Sequence, residues 1–376
     1  MAEPSDAQEF EQLPALYQRW VTELLPAGIP RERNASCLDC AMCTHHAARL
    51  DSGMGYYNRA TKCCTYFPDL PNFLVGRAAA NDNPGGAALR SIIEDERDVR
   101  GTATMRAVQP NAKWATVYAH HHKDGFGRDP EMLCPYAIEK DSETGPLCGI
   151  WQERNSVCST WFCKHERGIT GTRFWRTVQG FFSSLEWGLS WWAIAEVLEH
   201  PEAVISVGQP KVNDLNRITL KRDAWAHWPG SRMDFYRACA DRVDALSALD
   251  AIAVTGMDAR LFHLELVTRF DELRADGVPE RLRTAPYNIL SQDERRGTLQ
   301  ALTCTEPLQA PALLLPLLRY FDGRPTVDVL EAIREDTRIR LDSGLVRRLY
   351  DFGILEKDDG IGRGPAPGEA PAVSPS

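Results

Sequence analysis

The chain has 376 residues, of which 43% are apolar and 25% are charged, and its formal net charge is −9. These proportions are those of an ordinary globular protein with room for more than one domain. The acidic balance argues against general binding to nucleic acid or to anionic membranes, because both favour basic surfaces. The first residues lack an apolar signal segment, and the longest apolar runs are too short to span a bilayer, so the sequence predicts a cytoplasmic protein.

The first predicted element is a helix in an N-terminal segment that spans residues 1–30. Apolar side chains recur at helical spacing between Leu16 and Leu24, and Pro14 suits a first helical turn. Pro26 then ends the periodic pattern. We therefore expect one amphipathic helix within residues 13–25.

The next segment, residues 31–170, is predicted to be a cysteine-cluster metal-binding domain. It holds nine of the eleven cysteines of the chain, namely Cys37, Cys40, Cys43, Cys63, Cys64, Cys134, Cys148, Cys158 and Cys163. Cytosolic thiols are kept reduced, so this density indicates metal ligands more than a disulfide framework, which would need an oxidising compartment. The segment is also rich in turn residues, as expected where metal bonds replace part of a core.

The spacing of the thiols bears on the kind of metal centre. Residues 37–43 form a CxxCxxC run, whose short turns let three sulfurs converge. The bacterial ferredoxin pattern would next require a cysteine where Ala47 stands, so a fourth ligand must come from Cys63–Cys64 or from the block at 134–163. The thiol count favours an iron–sulfur cluster of the [4Fe–4S] type over zinc, although two zinc ions would also use eight thiols.

Other roles for these side chains stay open. Buried structural cysteines need no metal, and the adjacent pair Cys63–Cys64 is compatible with redox activity. Adjacent side chains are also expected to point different ways, towards two irons or two sites. Histidine is a common metal ligand, so the run His120–His122 and the single side chains His46 and His165 are further candidates for a mixed site.

The stretch CPYAIEKDSETGPLCGIWQERNSVC, residues 134–158, resembles an element of the YkgJ-type family of zinc- or iron-chelating cysteine-cluster proteins. Cys148 and Cys158 have the spacing of that family, with nine intervening residues. The aliphatic, aromatic and arginine positions of the family element are matched by Ile150, Trp151 and Arg154. The resemblance implies a bound metal without a defined general activity.

The chain departs from the family pattern at two places. Asn155 stands where a proline is usual, and nineteen residues part Cys43 from Cys63 where the family has a compact CxxCxxCC motif. The resemblance covers residues 35–168 and does not extend to the rest of the chain.

The neighbours of the later cysteines are predicted to surround the metal centre. A cluster with four thiolates is anionic, so nearby cations would offset its charge and raise its potential, and nearby aromatic rings would exclude water. The candidate cations are Arg154, Lys164, His165 and Arg167, and the candidate rings are Trp151, Trp161 and Phe162. The alternative is that the cations form an exposed face and the rings belong to an ordinary core.

Residues 171–310 are predicted to form a helical domain. Apolar side chains repeat at three- and four-residue intervals from Val178 to Trp192 and again from Phe262 to Leu273. Gly277 and Pro279 suit the end of the second helix. The segment between the two helices is ambiguous and is compatible with a loop and a short hairpin.

Residues 311–358 are predicted to form a winged-helix-like unit, followed by a disordered tail at 359–376. The order is an apolar helix, a turn, a helix opened by Pro325, a helix capped by Asp342 and ended by Gly353, and a short strand. This unit resembles the PqqD-type wing that recognises peptides in peptide-modifying systems, which implies a peptide or protein partner. The alternative is a purely structural helical cap. Seven arginines and eight acidic residues in 311–356 argue against DNA contact.

Taken together, the sequence predicts a mainly helical α+β protein that contains an irregular, metal-stapled cysteine-cluster domain, a helical domain and a small winged-helix-like unit. The predicted function is binding of an iron–sulfur cluster or zinc, in electron transfer, in a structural role or as an accessory to peptide or protein modification. Two alternatives are a protein-modifying enzyme similar to a flagellin lysine methylase and a purely structural zinc-binding interaction protein. Because no glycine-rich cofactor loop is visible, no catalytic residue is assigned.

Overall fold

The computed structural model describes residues 13–30, 32, 37, 38, 40, 42, 43, 57–95, 100–138, 144–207, 218–304 and 306–358. The described residues form an α+β fold in which helices dominate and the sheets are small and antiparallel. The chain divides into two compact units. Unit 1 comprises Met1–Glu166 and Thr170–Arg274, and unit 2 comprises Arg167–Ile169 and Ala275–Ser376.

Unit 1 contains most of the helices. Its helices are α1 (Ala15–Leu24), α2 (Asn72–Ala80), α3 (Pro84–Glu94), α4 (Ala112–Gly125), α5 (Ser156–Thr160), α6 (Gly168–Val197, which begins in unit 2), α7 (Arg232–Asp244), α8 (Ala248–Thr255) and α9 (Met257–Arg274). Its strands are β1 (Leu70–Pro71), β2 (Gly101–Ala103), β3 (Ala107–Pro110), β4 (Ala137–Ile138), β5 (Leu147–Cys148), β6 (Ile205–Val207) and β7 (Ile218–Leu220). They pair in the orders β1–β3–β2, β4–β5 and β6–β7.

The periodic apolar segments of the sequence fold as the predicted helices. The N-terminal helix is confirmed as α1, which buries Leu16, Tyr17 and Trp20. The segment predicted from residue 171 is confirmed as α6. The side chains of its predicted apolar stripe that lie in the core of unit 1 are Val178, Phe181, Phe182, Leu185 and Leu189. An apolar stripe at helical spacing must be buried against other elements, which is why these two helices are central to the unit.

Unit 2 combines two three-stranded sheets with helices. Its strands are β8 (Arg281–Thr284), β9 (Tyr287–Gln292), β10 (Arg296–Ala301), β11 (Leu308–Pro311), β12 (Asp322–Pro325) and β13 (Leu355–Lys357), and its helices are a 3₁₀ helix at Ala312–Tyr320, α10 (Thr326–Thr337) and α11 (Ser343–Asp351). The sheet orders are β11–β10–β9 and β12–β8–β13. The described part of the chain holds no helix with the length and apolar character that a membrane span requires.

The structure of unit 2 refines the sequence prediction. Asp342 caps α11 by accepting a hydrogen bond from the backbone N–H of Leu345 at 3.2 Å, and Gly353 follows the helix with a φ of +72°, both as expected. The predicted DGR turn is instead part of strand β12. Strands β8 to β11 lie within residues 281–311, where a helical domain was expected. Along β11, buried and exposed side chains alternate, which is the pattern of a half-buried strand.

Candidate metal centre

A cavity of about 200 Å³ in unit 1 is lined by six of the nine clustered cysteines. The six are Cys37, Cys63, Cys64, Cys134, Cys148 and Cys158, and we call the space they enclose the thiol cavity. Apolar cavities of about 150 Å³ accommodate a benzene molecule. The thiol cavity therefore has room for a group of several atoms.

Backbone hydrogen bonds bring three of these cysteines together from distant parts of the chain. The N–H of Cys134 donates to the carbonyl oxygen of Cys64 at 2.7 Å, and the N–H of Ala137 donates to the carbonyl oxygen of Cys134 at 3.0 Å. Ala137 in turn pairs with Cys148 across strands β4 and β5. The loops that carry Cys64, Cys134 and Cys148 are thus joined by main-chain bonds, which do not depend on a metal.

A contact between two glycines positions the strand that carries Cys148. Gly149 follows Cys148, and its backbone lies against Gly85 at the start of α3. A Cβ atom on Gly149 would lie 2.7 Å from the Cα of Gly85, and one on Gly85 would lie 2.3 Å from the carbonyl carbon of Gly149. Only residues without a side chain permit this approach, so Cys148 is held close to α3.

Cys158 lies on the short helix α5, and the residue that departs from the family pattern begins this helix. Asn155 is the N-cap, and its side-chain oxygen accepts a hydrogen bond from the N–H of Cys158 at 3.0 Å. The side-chain amide of Asn155 donates to the carbonyl oxygen of Asp69 at 3.2 Å. An asparagine cap satisfies a free helical N–H group, so Asn155 fixes the orientation of Cys158.

A buried carboxyl group holds α5 from the opposite side. Both the N–H and the hydroxyl of Ser156 donate to Glu186 on α6, the hydroxyl at 2.7 Å, and the hydroxyl of Tyr17 donates to the same carboxyl group. Burial raises the pKa of Glu186 to about 7 in spite of these hydrogen bonds. This network ties helices α1, α5 and α6 together behind Cys158.

Arg154 is the cation that lines the cavity. Its side chain is buried and lies over the Trp151 ring, and it donates to the carbonyl oxygens of Trp151 at 2.9 Å and Cys158 at 3.2 Å. Burial lowers its pKa, while the thiols of Cys148, Cys37, Cys158 and Cys63 favour its charged form. The charge of the guanidinium therefore interacts with four of the six cavity thiols.

Lys62 is a second buried cation beside the thiols, and its role was not predicted from the sequence. It precedes the Cys63–Cys64 pair, has a positive φ of 49° and donates through Nζ to the carbonyl oxygens of Cys37 and Pro146. Burying an ammonium group is costly unless nearby groups compensate its charge. In the sequence, the signal for this role is that Lys62 directly precedes the Cys63–Cys64 pair.

Burial favours the neutral, protonated form of the cavity thiols. Burial raises the pKa of Cys37 and of Cys148 to about 11, and it also raises the pKa of Cys134 and Cys158. Metals bind the thiolate, so each of these ligands would lose a proton on metal binding. These thiols would therefore react slowly as nucleophiles.

The orientation of the adjacent thiols Cys63 and Cys64 differs from the one predicted from the sequence. They were expected to point different ways, yet both line the thiol cavity and are hydrogen-bonded to each other, which raises the pKa of Cys63. All eleven cysteines carry free thiols, so none of them forms the disulfides that the alternative interpretation requires.

The remaining three clustered cysteines, Cys40, Cys43 and Cys163, lie beside the cavity and do not line it. Cys43 forms an isolated β-bridge with Tyr57, and the thiol of Cys163 donates to the Tyr57 hydroxyl at 3.9 Å. Burial is the largest cause of the raised pKa of Cys40, and the thiols of Cys63 and Cys163 also contribute to it. The structure thus divides the nine predicted ligands into six around the cavity and three next to it.

The described residues contain no group of three or more His, Cys, Asp or Glu side chains that could hold a single metal ion as they stand. A tetrahedral zinc ion bound at about 2.3 Å would require its four sulfurs to lie about 3.8 Å apart. The cavity thiols instead surround an open space.

The aromatic residues predicted to surround the site take different positions. Trp151 and Trp161 line the cavity, and Trp161 is 52% exposed. Phe162 packs edge-on against Trp175, with 4.5 Å between the ring centres. The first two rings can therefore shield the cavity from water, while Phe162 belongs to the core.

The predicted cations other than Arg154 have other partners. His165 is buried, its ring lies 3.1 Å from the Thr172 hydroxyl, and burial lowers its pKa to about 4. Arg167 forms two hydrogen bonds with Asp351 within unit 2, at 2.6 and 3.0 Å. Of the four predicted cations, Arg154 is the one among the cavity-lining residues.

The predicted histidine candidates are also distributed differently. The run His120–His122 lies on helix α4 and not on a strand or loop. His122 stacks on Tyr118, a cavity-lining residue, with 5.4 Å between the ring centres. His46 lies outside the described residues.

No family model matches the chain, and neither a curated protein nor a solved structure matches it. The YkgJ-type assignment remains an expectation that rests on the resemblance over residues 35–168.

Proposed function

We propose that unit 1 binds an iron–sulfur cluster in the thiol cavity. The observation that carries this proposal is that six thiols from four separated stretches of the chain line one cavity together with a buried arginine. A [4Fe–4S] cluster needs four thiolates, one for each iron, so the cavity offers more ligands than the cluster requires.

The size of the cavity supports a cluster over zinc. A zinc ion would sit in direct contact with four converging sulfurs and would leave no room for a cavity. An inorganic core of iron and sulfide holds its thiolates apart, and a cavity of about 200 Å³ leaves space for such a core. A bound cluster would supply one-electron chemistry or would stabilise the fold by linking separate segments of the chain.

The charges around the site also support the proposal. A cluster bound by four thiolates is an anion, and burial of an anion is costly unless cations lie nearby. Arg154 and Lys62 are both buried beside the thiols. Arg154 would offset the charge of the cluster, and the rings of Trp151 and Trp161 would limit the access of water.

For unit 2 we propose the winged-helix-like assignment of residues 311–358. It is supported by the order of β12, α10, α11 and β13 and by the pairing of β12 and β13 with the two edges of β8. A peptide or protein partner for this unit stays a prediction from its sequence resemblance.

The proposed function is tested by purifying the full chain without oxygen and measuring iron, acid-labile sulfide and zinc. We expect about four iron and four sulfide per chain, together with visible absorption from the cluster. Zinc without sulfide would favour the structural zinc alternative. A chain without either metal after reconstitution with iron and sulfide would contradict the proposal.

Matched cysteine variants locate the metal. Cys148→Ala and Cys158→Ala each remove a cavity thiol, whereas Cys239→Ala and Cys304→Ala remove buried thiols that do not line the cavity. We expect the first pair to lose most of the iron and the second pair to retain it. Equal losses in both pairs would indicate that unfolding, and not ligand removal, releases the metal.

A further inference from the structure

Helix α9 is apolar on two opposite faces. One face packs in the core of unit 1, where Leu266, Phe270 and Leu273 are buried. On the other face, Met257, Leu261 and Leu264 are 66%, 56% and 66% exposed. Residues spaced by four and three positions share one side of a helix, so these three side chains form a continuous outer stripe.

The charges that flank the outer stripe have opposite signs. If Leu261 and Thr268 occupy a positions of a heptad and Met257, Leu264 and Asp271 occupy d positions, the e positions are acidic and two of the three g positions are basic. The e positions are Asp258, Glu265 and Glu272, and the g positions are Arg260, Val267 and Arg274. The a/d seam is apolar from Met257 to Leu264 and polar at Thr268 and Asp271. An apolar seam between an acidic flank and a partly basic flank is the pattern of a helix that pairs with a parallel copy of itself.

We propose that the outer stripe of α9 binds α9 of a second copy of this chain, in parallel and about a twofold axis. In a parallel pair each g residue faces the e residue five positions later on the partner helix, so Arg260 of one copy faces Glu265 of the other. An antiparallel pair would bring the acidic flanks of both helices together, which is unfavourable. The charge pattern therefore selects the parallel arrangement.

The carboxylate of Glu265 can accept a further hydrogen bond from Arg260 of the second copy. It accepts a long hydrogen bond of 3.4 Å from Arg269 of its own helix, and its side chain is 47% exposed. Arg260 is also exposed. A carboxylate has two oxygens and accepts several donors, so Glu265 can bind Arg269 and the second copy together.

The stripe spans less than two full heptads, so the dimer is weak. The preceding helix α8 carries two more exposed apolar side chains, Leu249 and Val254, at 64% and 40%. Interfaces of small area are at the transient end of protein association. We expect a monomer–dimer equilibrium in the micromolar range, which needs no metal and is independent of the proposed cluster.

Sedimentation equilibrium of the full chain at graded concentrations tests the proposal. We expect the average mass to rise from monomer towards dimer, and we expect Leu261→Glu combined with Leu264→Glu to keep the chain monomeric. Leu302→Glu in unit 2 is the control, because Leu302 is equally exposed, at 68%, and lies outside α9. A wild-type chain that stays monomeric throughout, or a dimer unaffected by the double change, would overturn the proposal.

A charge exchange tests the parallel register. Arg260→Glu or Glu265→Arg alone places like charges opposite each other across the pair, so either change should weaken the dimer at least severalfold. The two changes combined restore opposite charges and should recover most of the affinity. Circular dichroism checks that all variants fold, and a combined variant weaker than either single variant would overturn the parallel pairing.

Discussion

The guanidinium carbon of Arg154 lies 3.4 Å from the centre of the Trp151 ring, and both residues line the thiol cavity. A cation over an indole face is held electrostatically, and Arg154 is also fixed by two backbone carbonyl oxygens. The positive charge therefore has one position relative to the surrounding thiols.

Removing this charge should lower the reduction potential of the proposed cluster. Arg154→Gln takes a fixed positive charge away from the site, which disfavours the added electron. We expect a negative shift on the order of 60 mV, equivalent to about 1.4 kcal/mol for one electron, in a spectroscopic redox titration. Arg154→Lys keeps the charge and should shift the potential less, and Arg237→Gln on the surface of α7 should leave it unchanged. Equal shifts for all three variants would count against the role of Arg154.

The division of the nine thiols predicts two classes of variant. Cys134→Ala removes a cavity thiol, whereas Cys163→Ala removes a thiol that contacts Tyr57 beside the cavity. We expect Cys134→Ala to lower the iron and sulfide content severalfold and Cys163→Ala to retain most of it. If Cys163→Ala lost the cluster and Cys134→Ala kept it, the metal centre would instead be assigned to the group formed by Cys40, Cys43 and Cys163.

The raised pKa of Glu186 predicts that the stability of the folded chain depends on pH. Its pKa is raised from 4.5 to about 7 in the folded chain, so the folded state binds the proton more tightly than the unfolded state. The free energy of unfolding should therefore fall as the pH rises from 4.5 through 7, by up to about 3 kcal/mol. Urea unfolding of the metal-free, reduced chain at pH 5 and pH 8 measures this difference.

Variants on α6 assign the effect to Glu186. Glu186→Gln cannot ionise, so its stability should change less between pH 5 and pH 8 than that of the wild type. Glu196→Gln is the matched control, because Glu196 is an exposed carboxylate on the same helix. An unchanged pH dependence in Glu186→Gln would show that other groups cause it.

The contact between Gly149 and Gly85 predicts that a single methyl group disturbs the site. Gly149→Ala would bring a Cβ atom to 2.7 Å from the Cα of Gly85, so the backbone next to Cys148 must shift. Overpacking of this kind costs about 1–3 kcal/mol. We expect lower stability in urea unfolding and less bound iron. Gly277→Ala, whose Cβ would meet no atom within 4 Å, should change neither quantity.

Local patterns in the sequence determined several helices and the composition of the candidate site. The apolar periods of α1, α6 and α9 were visible because a helix and its buried stripe depend on residues a few positions apart. The clustering of nine thiols and the position of Arg154 next to Cys158 were visible for the same reason.

Only the tertiary structure decided which thiols share the cavity. Cys64 and Cys134 are seventy positions apart and are joined by one backbone hydrogen bond, and Cys148 joins them through the pairing of β4 and β5. Such contacts depend on how separate segments pack, and no local spacing encodes them. The buried positions of Lys62 and Glu186 have the same origin, because burial of a charged side chain is a property of its distant neighbours.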